Sequence, residues 1–197
     1  MALSQAECIH CFYLTKGSKC AIDLDNEDHN EFPWDVLSFS LIEPSSLAPY
    51  VPTPCRVVHR MLSLAEIKPG ELVYDLGSGD GRIVMLATGN FGAKAVGFER
   101  EDGLVQKTVD MIHRFNLENK IKIIKDNLLN AQLDKADVVM MYLSPRGNKE
   151  IKPKLERELK SGTRITSLEF IIPGWTPQKV NKIVDNKLTY TIYVYKR

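Results

Sequence analysis

The fold of this chain is decided by the stretch "LVYDLGSGDGRIVMLA", residues 72–87. An apolar run ends in Asp75, glycines follow at positions 77, 79 and 81, and a second apolar run begins. This order predicts a buried strand, a tight glycine turn and a helix. Glycine lets a backbone turn sharply and approach a ligand closely without steric cost. We therefore interpret the turn as a ligand-binding loop, against the alternative of a plain strand-to-helix turn.

The pattern from residue 55 onward is regular and alternates between strands and helices. Such alternation predicts a doubly wound, right-handed α/β sheet. We expect a Rossmann-like sheet of seven strands, mostly parallel, with one antiparallel strand supplied by a C-terminal hairpin at or near an edge. The predicted strands are 71–76, 93–99, 120–126, 136–143, 162–172, 178–185 and 188–197, and the predicted helices are 55–67, 81–92, 101–117 and 147–160.

Composition and charge limit the functions that this chain can have. It has 197 residues, of which 44% are hydrophobic, and a net charge of +1. These values fit one compact domain and disfavour a polycation for nucleic acid. No apolar run approaches the roughly 18 residues of a membrane helix, and the N-terminus lacks the basic leader and apolar core of a signal peptide. We predict a soluble, cytoplasmic protein without a membrane partner, and nothing in the pattern sets its oligomeric state.

The first 45 residues differ from the rest and predict a separate N-terminal extension of unknown role, followed by one domain over residues 46–197. The extension holds three of the four cysteines, which do not resemble a secreted disulfide framework. Reduced thiols are one interpretation, and a structural zinc site is the other. One C-x-x-C followed by a lone cysteine is a weak zinc signal, so we assign no metal. The zinc candidates are Cys8, Cys11 and Cys20, with His10 or His29.

The spacing of the glycine loop indicates which ligand it binds. A dinucleotide site has the pattern G-x-G-x-x-G, whereas the third glycine here comes one position early. Asp80 also stands where it would repel a pyrophosphate at the helix N-terminus. These features favour a ligand that has a cationic group and no phosphate. S-adenosylmethionine, with its ammonium and sulfonium groups, fits both requirements.

The ends of the next two predicted strands carry further polar residues. Glu99 lies 24 positions after Asp75 and ends the second strand, where an acid can hold both ribose hydroxyls. Asp126 and Asn127 end the third strand, where they can reach the adenine amino group. A single glutamate is usually a solvated surface acid. Acids at three successive strand ends are harder to attribute to coincidence.

These motifs carry a family resemblance over residues 55–197. "VYDLGSGDGR", "GFE" and "KDN" resemble motifs of the seven-strand class I methyltransferases. "PYVPTPCRVVHRMLSLAEIKPGELVYDLGSGDGRIV" and "LKSGTRITS" look closest to the archaeal broad-specificity protein lysine methyltransferases. They are also similar to the mitochondrial lysine methyltransferases of the ATP synthase c subunit and the adenine nucleotide translocase. The resemblance implies S-adenosylmethionine as cofactor, protein substrates with exposed lysines, and methyl transfer to the lysine ε-amine.

The candidate site residues follow from the strand ends and from the resemblance. We expect Tyr50, in the proline-rich connector, to fold over the cofactor, and Tyr142 and Trp175 to line an acceptor channel as catalytic residues together with Tyr50. The purely structural alternatives are that Tyr142 belongs to the core of its strand and that Trp175 packs as an anchor of its loop. The candidate cofactor-binding residues are Tyr50, Thr53, Asp75, Gly77, Ser78, Gly79, Glu99, Arg100, Asp126, Asn127 and Tyr142.

The loop after the predicted fourth strand, "MYLSPRGN", narrows the acceptor class. It lacks the amide or acid of the N-P-P-Y or D-P-P-Y loops with which related enzymes hold a nucleic-acid base or glutamine. We therefore expect an alkyl amine in an aromatic channel that favours the neutral amine by desolvation. Two alternatives stay open: methylation of RNA, for which the basic run at 146–164 is the argument, and an inactive methyltransferase-like scaffold.

Overall fold

The structure, a computed structural model, describes residues 47–197. The zinc candidates and the whole predicted extension, residues 1–45, lie outside these residues. Between 47 and 197 the chain forms four α-helices, seven strands and one short 3-10 turn. In chain order the elements are α1 (Cys55–Leu64), β1 (Leu72–Leu76), α2 (Arg82–Phe91), β2 (Lys94–Glu99), α3 (Asp102–Arg114), β3 (Ile121–Lys125), the 3-10 turn (Leu128–Asn130), β4 (Val138–Met141), α4 (Pro145–Glu158), β5 (Arg164–Leu168), β6 (Lys179–Asp185) and β7 (Leu188–Lys196).

The seven strands form one sheet in the order β3-β2-β1-β4-β5-β7-β6. β1 pairs in parallel with both β2 and β4, and β7 pairs antiparallel with both β5 and β6. The predicted fold is therefore confirmed, including one antiparallel strand from a C-terminal hairpin next to the edge. The strand order reverses at β1, so the loop after β1 opens at the switch point where α/β sheets bind ligands.

The hairpin between β6 and β7 places that antiparallel strand inside the sheet. Its two-residue turn, Asn186 and Lys187, has positive φ angles of 44° and 66°. A turn with two positive φ angles matches the twist of the strands that it joins, and asparagine tolerates this region well. The "DNK" turn of the sequence therefore folds β7 back between β5 and β6.

The core consists of two apolar clusters, one on each side of the sheet. The alternating residues of β4 show why its sequence, VVMM, is apolar throughout. Val138 and Met140 belong to the cluster that contains α1, α2 and α3, whereas Val139 and Met141 belong to the cluster that contains α4. A central parallel strand covered by helices on both faces has no solvated side, so a polar residue at any of these positions would be buried.

Several element boundaries differ from the sequence prediction by one to four residues, and two of them have a clear local cause. Helix α4 begins at Pro145, two residues before the predicted start, because Ser144 caps it by accepting a hydrogen bond from the Gly147 N–H at 3.0 Å. Strand β5 ends at Leu168, four residues before the predicted end, because Glu169 turns into the left-handed region with a φ of 63°. Among the described residues, none of the helices has the length and apolar character needed to cross a membrane.

The connector that precedes α1 is fixed to the domain at both ends. At one end the Leu47 carbonyl accepts hydrogen bonds from the Ser144 N–H and hydroxyl, against α4. A Cβ on Gly147 would lie 2.5 Å from the same carbonyl oxygen, so only glycine allows this approach. At the other end the Thr53 carbonyl accepts a hydrogen bond from Arg82 at the start of α2. The intervening segment, which includes Tyr50, therefore lies across the carboxyl edge of the sheet.

We predict that Gly81→Ala destabilises the fold by about 2–4 kcal/mol, because it combines a strained φ with a steric clash. Gly81 has a φ of +79°, and a Cβ there would lie 2.2 Å from Thr108 Cγ2. Gly70→Ala is the matched control, since Gly70 has a φ of +84° and nothing within 4 Å of the added Cβ. Chemical denaturation should show a smaller loss for the control and partial rescue of Gly81→Ala by Thr108→Ser. Equal losses at both positions would contradict the clash.

Candidate active site

The loop after β1 is clamped onto the end of β2. The N–H groups of Gly77 and Ser78 both donate to the Phe98 carbonyl, at 3.0 and 2.9 Å. Ser78 Oγ packs beneath the loop, where a Cβ on Gly97 would lie 2.7 Å from it. The Ser78 side chain thus supports the loop from below, while the loop backbone faces the space at the sheet edge.

Asp75, the next-to-last residue of β1, lies inside the protein and is only 1% exposed. Its Oδ2 atom has no hydrogen-bond partner in the part of the chain that the structure describes. Burial raises the pKa of Asp75 well above its ordinary value, and the negative charges of Glu99 and Asp80 raise it further. A buried carboxylate without a partner is costly, and a cation beside it would remove that cost.

Glu99 holds the glycine loop through its carboxylate. Its Oε2 accepts the Gly79 N–H at 2.8 Å, and its Oε1 accepts the N–H groups of Arg100 and Glu101 at 2.8 and 3.0 Å. Three backbone donors fix this side chain at the end of β2. Glu99 therefore presents a carboxylate of defined orientation one strand away from Asp75, as the sequence predicts.

Tyr50 covers the glycine loop. A Cβ on Gly79 would lie 2.8 Å from Tyr50 Cε2, so the ring rests directly on this glycine. Burial raises the pKa of Tyr50 to about 12, and the charge of Asp80 contributes to the rise. Tyr50 therefore keeps its hydroxyl proton throughout the physiological range. The prediction that Tyr50 folds over the cofactor stays a prediction, and the structure places its ring against the glycine loop.

Asp80 differs from the prediction in its surroundings. It forms an ion pair with Arg82 at 2.6 Å, and a second contact joins Asp80 Oδ1 to Arg82 Nε at 2.8 Å. Burial alone would raise the pKa of Asp80, but the hydrogen bonds and charge of Arg82 outweigh it and hold that pKa below its ordinary value. The pair is close to neutral overall. The charge of Asp80 therefore contributes little to repelling a pyrophosphate at this edge.

The predicted acceptor residues do not all come together. Tyr142, at the end of β4, is half-buried and lines the same pocket as Tyr50 and Asp75. Trp175 lies elsewhere: its Nε1 donates to Glu156 Oε1 of α4 at 3.0 Å, and its ring packs edge-on against Tyr195. The structure thus gives Trp175 the packing role of a loop anchor and does not place it at the pocket.

The remaining predicted cofactor residues are distributed around the pocket. Thr53 is buried and lines it together with the glycine loop. Arg100 is exposed at the end of β2. Asp126 follows β3, where its Oδ1 accepts the Asn130 amide at 2.8 Å, and Asn127 caps the 3-10 turn by accepting the Leu129 N–H at 3.0 Å. Asp126 and Asn127 are therefore at the predicted edge, beyond the lining of the pocket itself.

The site fits a cationic, phosphate-free ligand. Two carboxylates, Asp75 and Glu99, face the edge of the sheet without a lysine or arginine ion pair among the described residues. Gly79 has no Cβ, which lets the Tyr50 ring pack directly against the loop. Within residues 47–197, no group of three histidines, cysteines or acids is placed to hold a metal ion. The donor set therefore suits the ammonium and ribose of S-adenosylmethionine.

Comparison with known proteins identifies the family. A family model described as the ANTKMT methyltransferase domain matches residues 75–179. The chain belongs to this methyltransferase family. A protein-lysine N-methyltransferase of Saccharolobus islandicus is 43% identical over 148 residues, which cover 75% of this chain and 92% of that protein. A Homo sapiens lysine N-methyltransferase named for the c subunit of ATP synthase is 31% identical over 132 residues, which cover 67% of this chain and 56% of that protein.

A solved structure agrees with this assignment. The crystal structure of an RNA methyltransferase from Salinibacter ruber in complex with S-adenosyl-L-homocysteine has a TM-score of 0.69 and 36% identity. The match covers 74% of this chain and 93% of that one. The predictions of a methyltransferase that depends on S-adenosylmethionine, and of that cofactor, are confirmed. The individual site residues stay predictions.

The sequence interpretation missed two features of the site. The first is the Asp80–Arg82 pair, which spacing alone suggests only weakly because the two residues are two positions apart. The second is Glu169, which follows β5 and lies close enough to Tyr142 to raise its pKa, after burial. An acid at the end of a parallel strand was the available signal for Glu169. Because the sequence prediction extends β5 to residue 172, it places Glu169 within the strand and not at its end.

We predict that Asp75→Asn has opposite effects on stability and on cofactor binding. The pKa of Asp75 is raised in the folded state, so the stability of the ligand-free protein is full at low pH and falls as pH rises through that pKa. The variant should therefore be more stable than the wild type at neutral pH and similar to it in acid. It should bind S-adenosylmethionine about 1–3 kcal/mol more weakly, because the charged partner is lost.

Denaturation at several pH values and calorimetric titration test this pair of effects. Glu118→Gln is the control, since Glu118 pairs with His113 on the surface. A variant that is less stable than the wild type at every pH, with unchanged cofactor affinity, would contradict the role of Asp75.

Proposed function

We propose that this protein transfers a methyl group from S-adenosylmethionine to the ε-amine of lysines in protein substrates. The observation that carries the proposal is the pocket at the end of β1 and β4, where Asp75 and the glycine loop meet Tyr50 and Tyr142. The relatives named as lysine methyltransferases support the same acceptor class. A cytoplasmic site of action stays a prediction from composition.

The residues at the pocket have separable tasks. When bound, S-adenosylmethionine supplies an electrophilic methyl group on a sulfonium. Asp75 and Glu99 hold cationic and hydroxyl groups of the cofactor, while Tyr50 covers the loop and excludes water. Tyr142 forms a wall between the cofactor side and the end of β5. Excluding water also favours the neutral form of an incoming amine, which is the nucleophilic form.

The loop after β4, on the acceptor side of the pocket, has no free polar group that could hold a planar base or amide. Residues Leu143, Ser144 and Pro145 follow Tyr142, and Ser144 is committed to capping α4. Its hydroxyl also donates to the Leu47 carbonyl. None of these groups is free to hold a planar amide, so the loop suits an alkyl amine.

RNA is the second candidate acceptor. It is favoured by one observation, the 36% identity to the Salinibacter ruber protein that is named an RNA methyltransferase. The net charge of +1 gives little attraction to a polyanion. We therefore rank protein lysine first.

Labelling of a cell lysate with radioactive S-adenosylmethionine tests the proposal. We expect the label to be lost on protease digestion, to resist nuclease, and to appear as methyl-lysine in mass spectrometry. Asp75→Asn is the negative control. Label that nuclease removes, or methyl groups on arginine or glutamine with none on lysine, would rule out lysine as the acceptor.

We predict that the methylation rate rises steadily through the alkaline range without a bell. The free lysine amine has a pKa near 10.4, so below that value each further unit of pH supplies about tenfold more neutral amine. The pKa of Tyr50 is about 12 and that of Tyr142 is raised by burial and by Glu169, so neither tyrosine ionises early enough to reverse the trend. Initial rates between pH 7 and 10 check this profile.

The ring of Tyr50, more than its hydroxyl, should carry the activity. Tyr50→Phe keeps the ring over Gly79 and should retain much of the rate, whereas Tyr50→Ala should lose most of it. A sharp maximum in the pH profile, or equal losses of methylation rate in the two variants, would show that a titrating group is required for catalysis.

We also propose that residues 46–197 form a domain that folds without the extension. The support is the contact of Leu47 with the Ser144 N–H and with α4, because a chain that starts near Ser45 keeps this contact. Such a chain should fold and bind S-adenosylmethionine with the affinity of the full chain, as circular dichroism and calorimetry would measure. A chain that starts at Cys55 is the comparison and should lose binding along with Tyr50 and Thr53. Failure of the longer one to fold would mean that the extension belongs to the domain.

A further inference from the structure

A carboxylate stands at the end of β5, next to the pocket. β4 and β5 pair in parallel with Met141 opposite Ser167, so Tyr142 and the residues after β5 reach the same edge. The Glu169 N–H donates to the Thr191 carbonyl at 2.7 Å, and Glu169 Oε1 accepts the Thr191 N–H at 2.6 Å. Two hydrogen bonds to β7 therefore fix the glutamate beside Tyr142.

The backbone at Glu169 is strained. Its φ of 63° lies in the left-handed region, which favours glycine and asparagine and is costly for other residues. The turn is nevertheless firmly held, because the buried Asn148 amide donates to the carbonyls of Phe170 and Ile171 at 2.9 and 3.1 Å. Strain that the surroundings maintain at the edge of a site points to a function for the side chain.

The surroundings of Glu169 would receive a cation. Within residues 47–197, Oε2 of Glu169 receives no hydrogen bond, and no lysine or arginine pairs with the carboxylate. Tyr142 and Tyr190 both have a pKa raised first by burial, and the charge of Glu169 contributes to each rise. The two phenols near this carboxylate are thus protonated and uncharged, and they do not compensate its charge.

The chain beyond Glu169 offers apolar surface at the same edge. Phe170 is 37% exposed and Ile171 is 53% exposed, although both are large hydrophobic residues. A lysine side chain has four methylene groups before its ammonium, so it combines an apolar stem with a cationic tip. The arrangement of exposed Phe170 and Ile171 before a fixed carboxylate complements such a side chain.

We propose that Glu169 binds the ε-ammonium of the acceptor lysine as it arrives beside Tyr142, while Phe170 and Ile171 contact the substrate. The inference rests on the proposed lysine methyltransferase function and names a substrate-binding residue for it. Glu169 recognises the charged form of lysine, which must lose its proton before transfer. Its contribution therefore belongs to substrate capture and not to the transfer step.

This role predicts a change in KM without a loss of kcat. Glu169→Gln keeps an oxygen for the Thr191 N–H but removes the charge. We expect the KM for poly-L-lysine to rise about tenfold or more, as for loss of a charged hydrogen bond. The kcat should stay within about twofold or increase, because a carboxylate beside the ammonium opposes its deprotonation. The affinity for S-adenosylmethionine should not change.

A second pair of variants separates charge from structure. Asp and Asn are similar in shape, and both tolerate the left-handed region better than most residues. Glu169→Asp should recover part of the substrate affinity, whereas Glu169→Asn should not. Glu118→Gln, on the surface beside His113, is the control that should match the wild type.

The outcomes are distinguishable. An unchanged KM in Glu169→Gln, with active wild-type enzyme, would overturn the inference and leave the proposed function intact. Equal KM values for the Asp and Asn variants would also overturn it. A wild type that methylates no lysine in poly-L-lysine would count against the proposed function and this inference together.

Discussion

The site depends on one buried carboxylate, that of Asp75. It ends a central strand, it is shielded from water, and its Oδ2 has no partner among the described residues. Such a group costs folding free energy unless it is protonated or meets a cation. Burial raises the pKa of Asp75, so it favours the first course in the ligand-free protein. A cationic ligand offers the second. Part of the folding free energy that burial of the Asp75 carboxylate costs is then recovered when the ligand binds.

The other parts of the site define the space around that carboxylate. The glycine loop can turn beside Asp75 because Gly77 has a φ of +84° and Gly79 a φ of +55°. Glu99 accepts a hydrogen bond from the Gly79 N–H, and the Tyr50 ring packs against the same glycine. The connector is in turn tied to α4 through Leu47. A change in any of these contacts would alter the space beside Asp75.

The sequence predicts the periodic parts of the fold well. Strands and helices follow from apolar patterns, and the positions of Asp75 and Glu99 follow from the rule that parallel strands end at one edge. Trp175 shows where this reasoning fails, because an aromatic residue in a loop gives no signal of which face it packs against. In the structure it donates to Glu156 and packs on Tyr195.

Asp80 shows a second limit of sequence reasoning. Its position was predicted correctly, but its charge is compensated by Arg82, and an ion pair depends on rotamers that spacing does not define. Glu169 was missed for a similar reason. A backbone turn with a φ of 63° at Glu169 ends β5 early. The left-handed region is usually occupied by glycine, so a glutamate in the sequence does not predict such a turn. The strained backbone at Glu169 thus ends β5 earlier than the apolar pattern predicts, and it also determines where the Glu169 side chain lies.

The two sides of the proposed reaction share one wall. β4 lies between β1 and β5, so its last side chain stands between the residues that follow those strands. Tyr142 lines the pocket with Asp75 and also has its pKa raised by Glu169. In-line methyl transfer needs donor and acceptor to approach from opposite sides of one methyl group. The proposed roles of Asp75 for the cofactor cation and of Glu169 for the lysine cation place two positively charged partners on either side of Tyr142. Their mutual repulsion is offset by separate carboxylates, which is a physical reason for the fold to maintain two costly acids at the same edge.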